Sequence, residues 1–61
     1  MKSYEILIAY ENGTTERIVY DDYSDFFTKT DKLFNDGYNV QRLQFIRSCV
    51  AICTPTRTIT L

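Results

Sequence analysis

Apolar residues recur at helical spacing in one stretch of the chain, Asp22 to Gly37. Tyr23, Phe26, Phe27, Thr30, Leu33, Phe34 and Gly37 follow the i, i+3, i+4, i+7 rhythm of one helix face. Asp25, Thr28, Lys29, Asp31, Lys32, Asn35 and Asp36 fill the other face. The ends are marked as well. Asp22 or Ser24 can accept from the unpaired N–H groups of a first turn, and Gly37 can take the left-handed conformation that closes a helix. The stretch predicts one amphipathic helix.

The flanking segments alternate with period two. Tyr4 to Tyr10 and Thr14 to Tyr20 are two such runs, joined by Glu11-Asn12-Gly13. A two-residue loop would set Ile6 and Ile8 against Val19 and Arg17 and leave neither face consistently apolar. A three-residue loop with Gly13 left-handed puts Tyr10 opposite Thr14, Ile8 opposite Glu16, Ile6 opposite Ile18 and Tyr4 opposite Tyr20. In that register Tyr4, Ile6, Ile8, Ile18 and Tyr20 face the helix, and Leu7, Ala9 and Val19 form an apolar stripe on the back.

A third run, Val40 to Ile46, places Leu43 and Phe45 on one face and Arg42 and Gln44 on the other, as in a half-buried strand. Cys49 to Cys53 is apolar at every position, which predicts a strand covered on both faces. Thr54-Pro55-Thr56 reads as a turn or break, and Arg57 to Leu61 as a β-prone tail, either an edge strand or a loose end. The expected fold is a single α+β domain over residues 1–61. Its order is β-β-α-β(-β), an antiparallel sheet with the helix packed on one face. The other face holds more apolar surface than one copy hides. At about 25 cal/mol per Å², a few hundred Å² of it is comparable with the whole stability of so small a domain. A homodimer through the sheet is expected, with Val50, Ile52, Leu7 and Val19 at the interface.

Size sharpens that expectation. A 61-residue chain buries only about 60% of its unfolded surface, and such proteins commonly add a metal, a disulfide or a second copy. There is no His, and two Cys alone cannot complete a four-ligand zinc site, so no metal or cofactor is expected. Cys49 and Cys53 lie four apart in a strand-like run, roughly 13 Å at about 3.3 Å per residue, too far to bridge. Both read as small buried residues in a reducing compartment. The apolar run Ile6 to Ala9 is far too short for a membrane span or signal core, so a cytoplasmic location is expected.

Charge is asymmetric behind a net value of −1. All eight carboxylates precede Gly37, against Lys2, Arg17, Lys29 and Lys32, whereas only Arg42, Arg47 and Arg57 follow it. The acidic part suits a basic partner, or the two parts attract each other within the fold. Catalysis has little support. Without His a Cys or Ser nucleophile lacks its usual base, neither glycine opens a phosphate loop, and Asp22 with Asp25 at a helix start reads as complement to the helix dipole. No enzyme is expected, and the function that remains is binding.

Four short segments carry a resemblance. Ser3-Tyr4-Glu5, the turn Glu11-Asn12-Gly13, Ser24-Asp25-Phe26 and Gln41-Arg42-Leu43-Gln44-Phe45, spread over most of the chain, resemble the compact uracil-DNA glycosylase inhibitors of certain tailed phages. Three departures accompany them: the helix is longer, Phe27 stands where the pattern has Glu, and the tail runs on past Arg47. The resemblance implies a homodimeric protein that mimics DNA and occupies the enzyme's DNA groove in the host bacterial cytoplasm. It also implies an apolar recess for the side chain the enzyme would push into the duplex. On that pattern Phe26, with Phe27 beside it, forms the recess, and Asp25, Asp22 and Asp21 stand in for phosphates. The same residues also read as core aromatics and helix caps.

Two other classes compete. One is an accessory protein that inhibits a different host or defence protein through the same acidic dimer. The other is a single-stranded nucleic-acid binder that uses Arg17, Arg42 and Arg47 with Tyr10 and Phe45 on a sheet face; the acidic balance of the chain weighs against it.

Overall fold

A computed structural model describes residues 2–56 of the chain. Four strands and one helix follow in the order β1 (Ser3–Ala9), β2 (Thr15–Tyr20), α1 (Tyr23–Asn35), β3 (Tyr38–Gln44) and β4 (Ser48–Pro55). They form an α+β domain in which the helix lies on one face of a single sheet ordered β2-β1-β4-β3.

The sheet is mixed, which corrects the expectation of an antiparallel one. β1 pairs with β2, and β3 with β4, antiparallel, but the central strands β1 and β4 are parallel, with Ile6 beside Ala51 and Leu7 beside Ile52. The cause is the crossover. The helix returns the chain to the end of the sheet where β2 began, so both outer strands run in one direction and both inner strands in the other. Thirteen helical residues rise about 20 Å and seven strand residues about 23 Å, so one helix spans the strands' length. The most apolar segment, β4, takes a central position.

The β1–β2 register is the one that a three-residue loop predicts. Tyr4 lies opposite Tyr20, Ile6 opposite Ile18 and Ile8 opposite Glu16. Tyr10 N–H donates to the Thr14 carbonyl at 2.8 Å, Gly13 N–H to the Tyr10 carbonyl at 3.0 Å, and Gly13 has φ +90°. The Asn12 side-chain oxygen accepts from both the Thr14 amide and its hydroxyl, which stiffens the turn.

Of the two candidate caps, Asp22 is the one used. It is extended and accepts from Ser24 N–H at 3.2 Å, while Gly37, at φ +100°, follows the last turn. The buried stripe is narrower than the periodicity suggests. Phe26, Thr30 and Leu33 are buried, whereas Tyr23, Phe27 and Phe34 are 51%, 46% and 64% exposed. A helix on an open sheet buries one line of residues; Phe27 and Phe34, each about 100° from the buried residue before it, stand on the flank, whereas Tyr23 is near the buried line but is the first residue of the helix.

The core lies wholly between helix and sheet: Ile6 and Ile8 from β1, Ala51 and Cys53 from β4, Phe26 and Leu33 from α1, rimmed by Tyr4, Tyr10, Ile18, Tyr20, Tyr38, Val40 and Cys49. β3 begins and ends two residues earlier than expected. Tyr38 and Val40 pack on the core, so alternation brings Arg42 to the helix side and Leu43 to the back; Phe45 falls in the following loop.

The expected break at Thr54-Pro55 is also corrected, because β4 runs through both residues, pairing Thr54 with Asn39 and Pro55 with Tyr38. The ladder explains why proline is tolerated. Thr56 N–H donates to the Gly37 carbonyl on the β3 side, so the missing Pro55 donor faces β1, whose last pairing with β4 is Ile8 with Cys53. Nor is β4 covered twice. Val50 and Ile52 are half-buried on the back, and among the described residues no element lies over them. The expected tail strand, residues 57–61, lies outside the described residues.

Candidate protein-binding surface

One end of the domain gathers the start of β1, the end of β2, the start of α1 and the loop between β3 and β4. The acids singled out in the sequence meet here. Asp21 and Asp22 occupy the two-residue link from β2 to α1 and Asp25 the first helical turn, and all three are exposed. Asp22 uses one oxygen as the cap, and its charge and that of Asp25 sit at the positive end of the helix dipole. Among the described residues the ion pair present is Glu5 with Arg17, on the back of the sheet, and none of these three aspartates takes part in one.

Aromatic rings adjoin the acids. Tyr4 and Phe26 lie 5.4 Å apart by ring centroids, Tyr23 is 5.5 Å from Tyr4 edge-on, and Tyr23 stacks on Phe27 at 6.0 Å. The cluster runs from core to surface. Phe26 is 1% exposed and forms part of the core, so it presents no surface to a partner, whereas Tyr23 and Phe27 stand half open beside the carboxylates. The Arg42 guanidinium lies 5.5 Å from the Phe27 ring centre and donates to the Thr30 hydroxyl at 3.0 Å. The same hydroxyl donates to the Phe27 carbonyl at 2.9 Å, which leaves the fully buried Thr30 satisfied. An open hollow of about 440 Å³, lined by Lys2, Ser3, Val19, Tyr20 and Asp21, adjoins the acidic link.

The loop at this end is apolar. Ile46 is 95% exposed and Phe45 54%, next to Arg47. Ile46, expected as the last residue of the run Val40 to Ile46, instead sits in the three-residue tip Phe45-Ile46-Arg47 between β3 and β4.

The proposed interface residues share the back face. Val50 and Ile52 lie at its centre, with Leu7 beside Ile52 and Leu43 beside Val50; Val19 is across from Glu5 at the β2 edge. Leu7 is 37% and Val19 56% exposed. Leu43 belongs to this stripe, and the parity of Tyr38, Val40 and Arg42 was the signal for it. Of the residues of a nucleic-acid face, Phe45 and Arg47 share the loop between β3 and β4, but Arg17, Arg42 and Tyr10 do not join them on one sheet face. Arg17 is on the back, paired with Glu5, Arg42 is over Phe27 on the helix side, and Phe45 is in a loop.

Titration is perturbed away from this end. The Tyr10 hydroxyl donates to Glu16 at 2.5 Å, and that bond, with smaller contributions from burial and the Glu16 charge, pushes its pKa up to about 12. Burial raises the Cys53 thiol, partly offset by the Arg42 charge. Both cysteines are free. No helix among the described residues is long and apolar enough to cross a membrane. Comparison with protein-family models, curated proteins and solved structures gives no match to this chain.

Proposed function

We propose that the chain is a non-catalytic inhibitor that binds the nucleic-acid groove of a DNA-acting enzyme, with uracil-DNA glycosylase the first candidate. The observation that supports this is the grouping of Asp21, Asp22 and Asp25. These are three exposed carboxylates at one helix start, in no ion pair among the described residues, beside the half-open rings of Tyr23 and Phe27. Carboxylates so placed can take the basic and amide donors of a DNA groove, and adjacent aromatic area is where binding energy concentrates. The apolar element of this reading is Tyr23 with Phe27, since Phe26 is spent on the core.

The reading includes a homodimer that covers the back face, with Leu7, Val19, Val50 and Ile52 between two copies. Central apolar strands with one open face support it, because burial of that face offsets a core too thin for one copy.

Uracil excision measured with the protein at stoichiometric amounts tests the proposal. Inhibition is expected, and the triple variant Asp21→Asn, Asp22→Asn, Asp25→Asn is expected to lose at least about tenfold in potency. Asn at position 22 keeps the cap, so the fold is spared. Asp36→Asn, at the opposite helix end, should leave potency unchanged. Undiminished excision at saturating protein removes the glycosylase as target.

A further inference from the structure

Two hairpin tips close the sheet at opposite ends, and their chemistry is opposite too. Glu11-Asn12-Gly13, between β1 and β2, has polar side chains and a left-handed glycine, the composition such turns ordinarily take. Phe45-Ile46-Arg47, between β3 and β4, has no glycine, proline, asparagine or aspartate. Turn formation does not account for it. Nor does burial within the chain, since Ile46 is 95% exposed and Phe45 54%.

The tip is also braced. Phe45 N–H donates to the Ser48 carbonyl at 2.7 Å across its base, and the Arg47 carbonyl accepts from Ser3 N–H of β1 at 3.2 Å. Held from its own hairpin and from a neighbouring strand, the backbone displays Ile46 with little freedom left to lose on binding.

Its surroundings limit what it can meet. The tip stands at the end of the domain that carries Asp21, Asp22 and Asp25, which outnumber Lys2 and Arg47 there among the described residues. The phosphates of a nucleic acid or of an anionic lipid surface are repelled by that balance, whereas a basic protein surface is attracted. In the sheet order β2-β1-β4-β3, the end of β2 and the middle of the tip are two and a half strand spacings apart, roughly 12 Å. An ordinary protein interface covers about 800 Å² on each side, roughly 30 Å across, so one interface holds both.

We propose, resting on the function above for the partner's identity, that Phe45-Ile46-Arg47 is an apolar anchor and that Ile46 is buried in a hollow beside the partner's basic groove. The two features divide the work. The aspartates supply attraction that salt screens, and the tip supplies apolar contact that salt does not weaken. The anchor uses neither Tyr23 nor Phe27, so it adds a second apolar contact to the surface already described.

Uracil excision by uracil-DNA glycosylase, with the full-length chain as inhibitor, provides the test. Ile46→Ser is expected to lose at least about tenfold in potency, and Ile46→Leu to stay within about twofold of wild type. The loss from Ile46→Ser should be as large at about 300 mM salt as at about 50 mM, whereas the loss from the triple aspartate variant shrinks. Glu11→Ser, on the opposite tip, should leave potency unchanged. Circular dichroism checks each fold. If wild type inhibits and Ile46→Ser inhibits equally well, the anchor is overturned while the acidic surface stands. If wild type does not inhibit at all, the glycosylase is removed as target and the anchor falls with it. A wild-type dimer that Ile46→Ser separates in sedimentation would assign the tip to a second copy, and phosphatidylglycerol vesicles bound by wild type but not by Ile46→Ser would assign it to lipid; either result overturns the proposal.

Discussion

Arg42 on the edge strand donates from Nη2 to the Thr30 hydroxyl at 3.0 Å, across the gap between sheet and helix. Thr30 is fully buried and Arg42 exposed, so the bond ties the middle of α1 to the free edge of the sheet. With the Phe27 ring against the guanidinium, it fixes which flank of the helix overlooks β3.

Thr30→Val keeps the shape and removes the hydroxyl. The freed Arg42 donors reach water, so the loss is expected to be about 1 kcal/mol rather than the larger cost of a stranded buried charge. A lowered urea midpoint with unchanged slope checks this.

Phe26→Ala is expected to cost about 3–5 kcal/mol, enough to unfold a domain of this size at 25 °C. Phe34→Ala, at a site 64% exposed, should stay within about 0.5 kcal/mol in its effect on the monomer's stability. Thermal melts by circular dichroism at a concentration that keeps the chain monomeric compare the two. Similar midpoints would contradict the placement of Phe26 in the core.

Tyr10 is expected to ionise near pH 12, about two units above the ordinary tyrosine value, in an ultraviolet titration of the folded protein. Its pKa is raised, so the bond to Glu16 favours the folded state fully below about pH 10. That contribution is lost as pH climbs from there through about 12. Glu16→Ala removes both the acceptor and the charge and should return Tyr10 toward 10.

Thiol labelling should separate the cysteines. Half-exposed Cys49 is expected to react with a small disulfide reagent about a hundredfold faster than Cys53, which is fully buried and whose thiolate is disfavoured by burial. Equal rates under native conditions would place Cys53 outside the core. Labelling of both in urea provides the control.

The candidate surface was legible in part. Asp21, Asp22 and Asp25 are exposed at a helix start because acidic residues just before a periodic stretch almost force that placement. The role of Phe26 was not legible. Phe26 and Phe27 are adjacent members of one apolar stripe, and spacing alone does not say which of two neighbours 100° apart points into the sheet.

What the sequence determined is what neighbours in the chain decide. The β1–β2 register follows from the Glu11-Asn12-Gly13 loop and from the need to keep Ile6 opposite Ile18; the helix and its ends follow from the spacing, Asp22 and Gly37. Tertiary structure decided what depends on distant segments. The parallel pairing of β1 with β4, the continuation of β4 through Pro55, and the turning of Arg42 toward the helix all depend on where the crossover sets β3. Local hydrophobic rhythm constrains one element's faces, whereas the choice of neighbouring strand is a competition among long-range contacts that leaves little local trace.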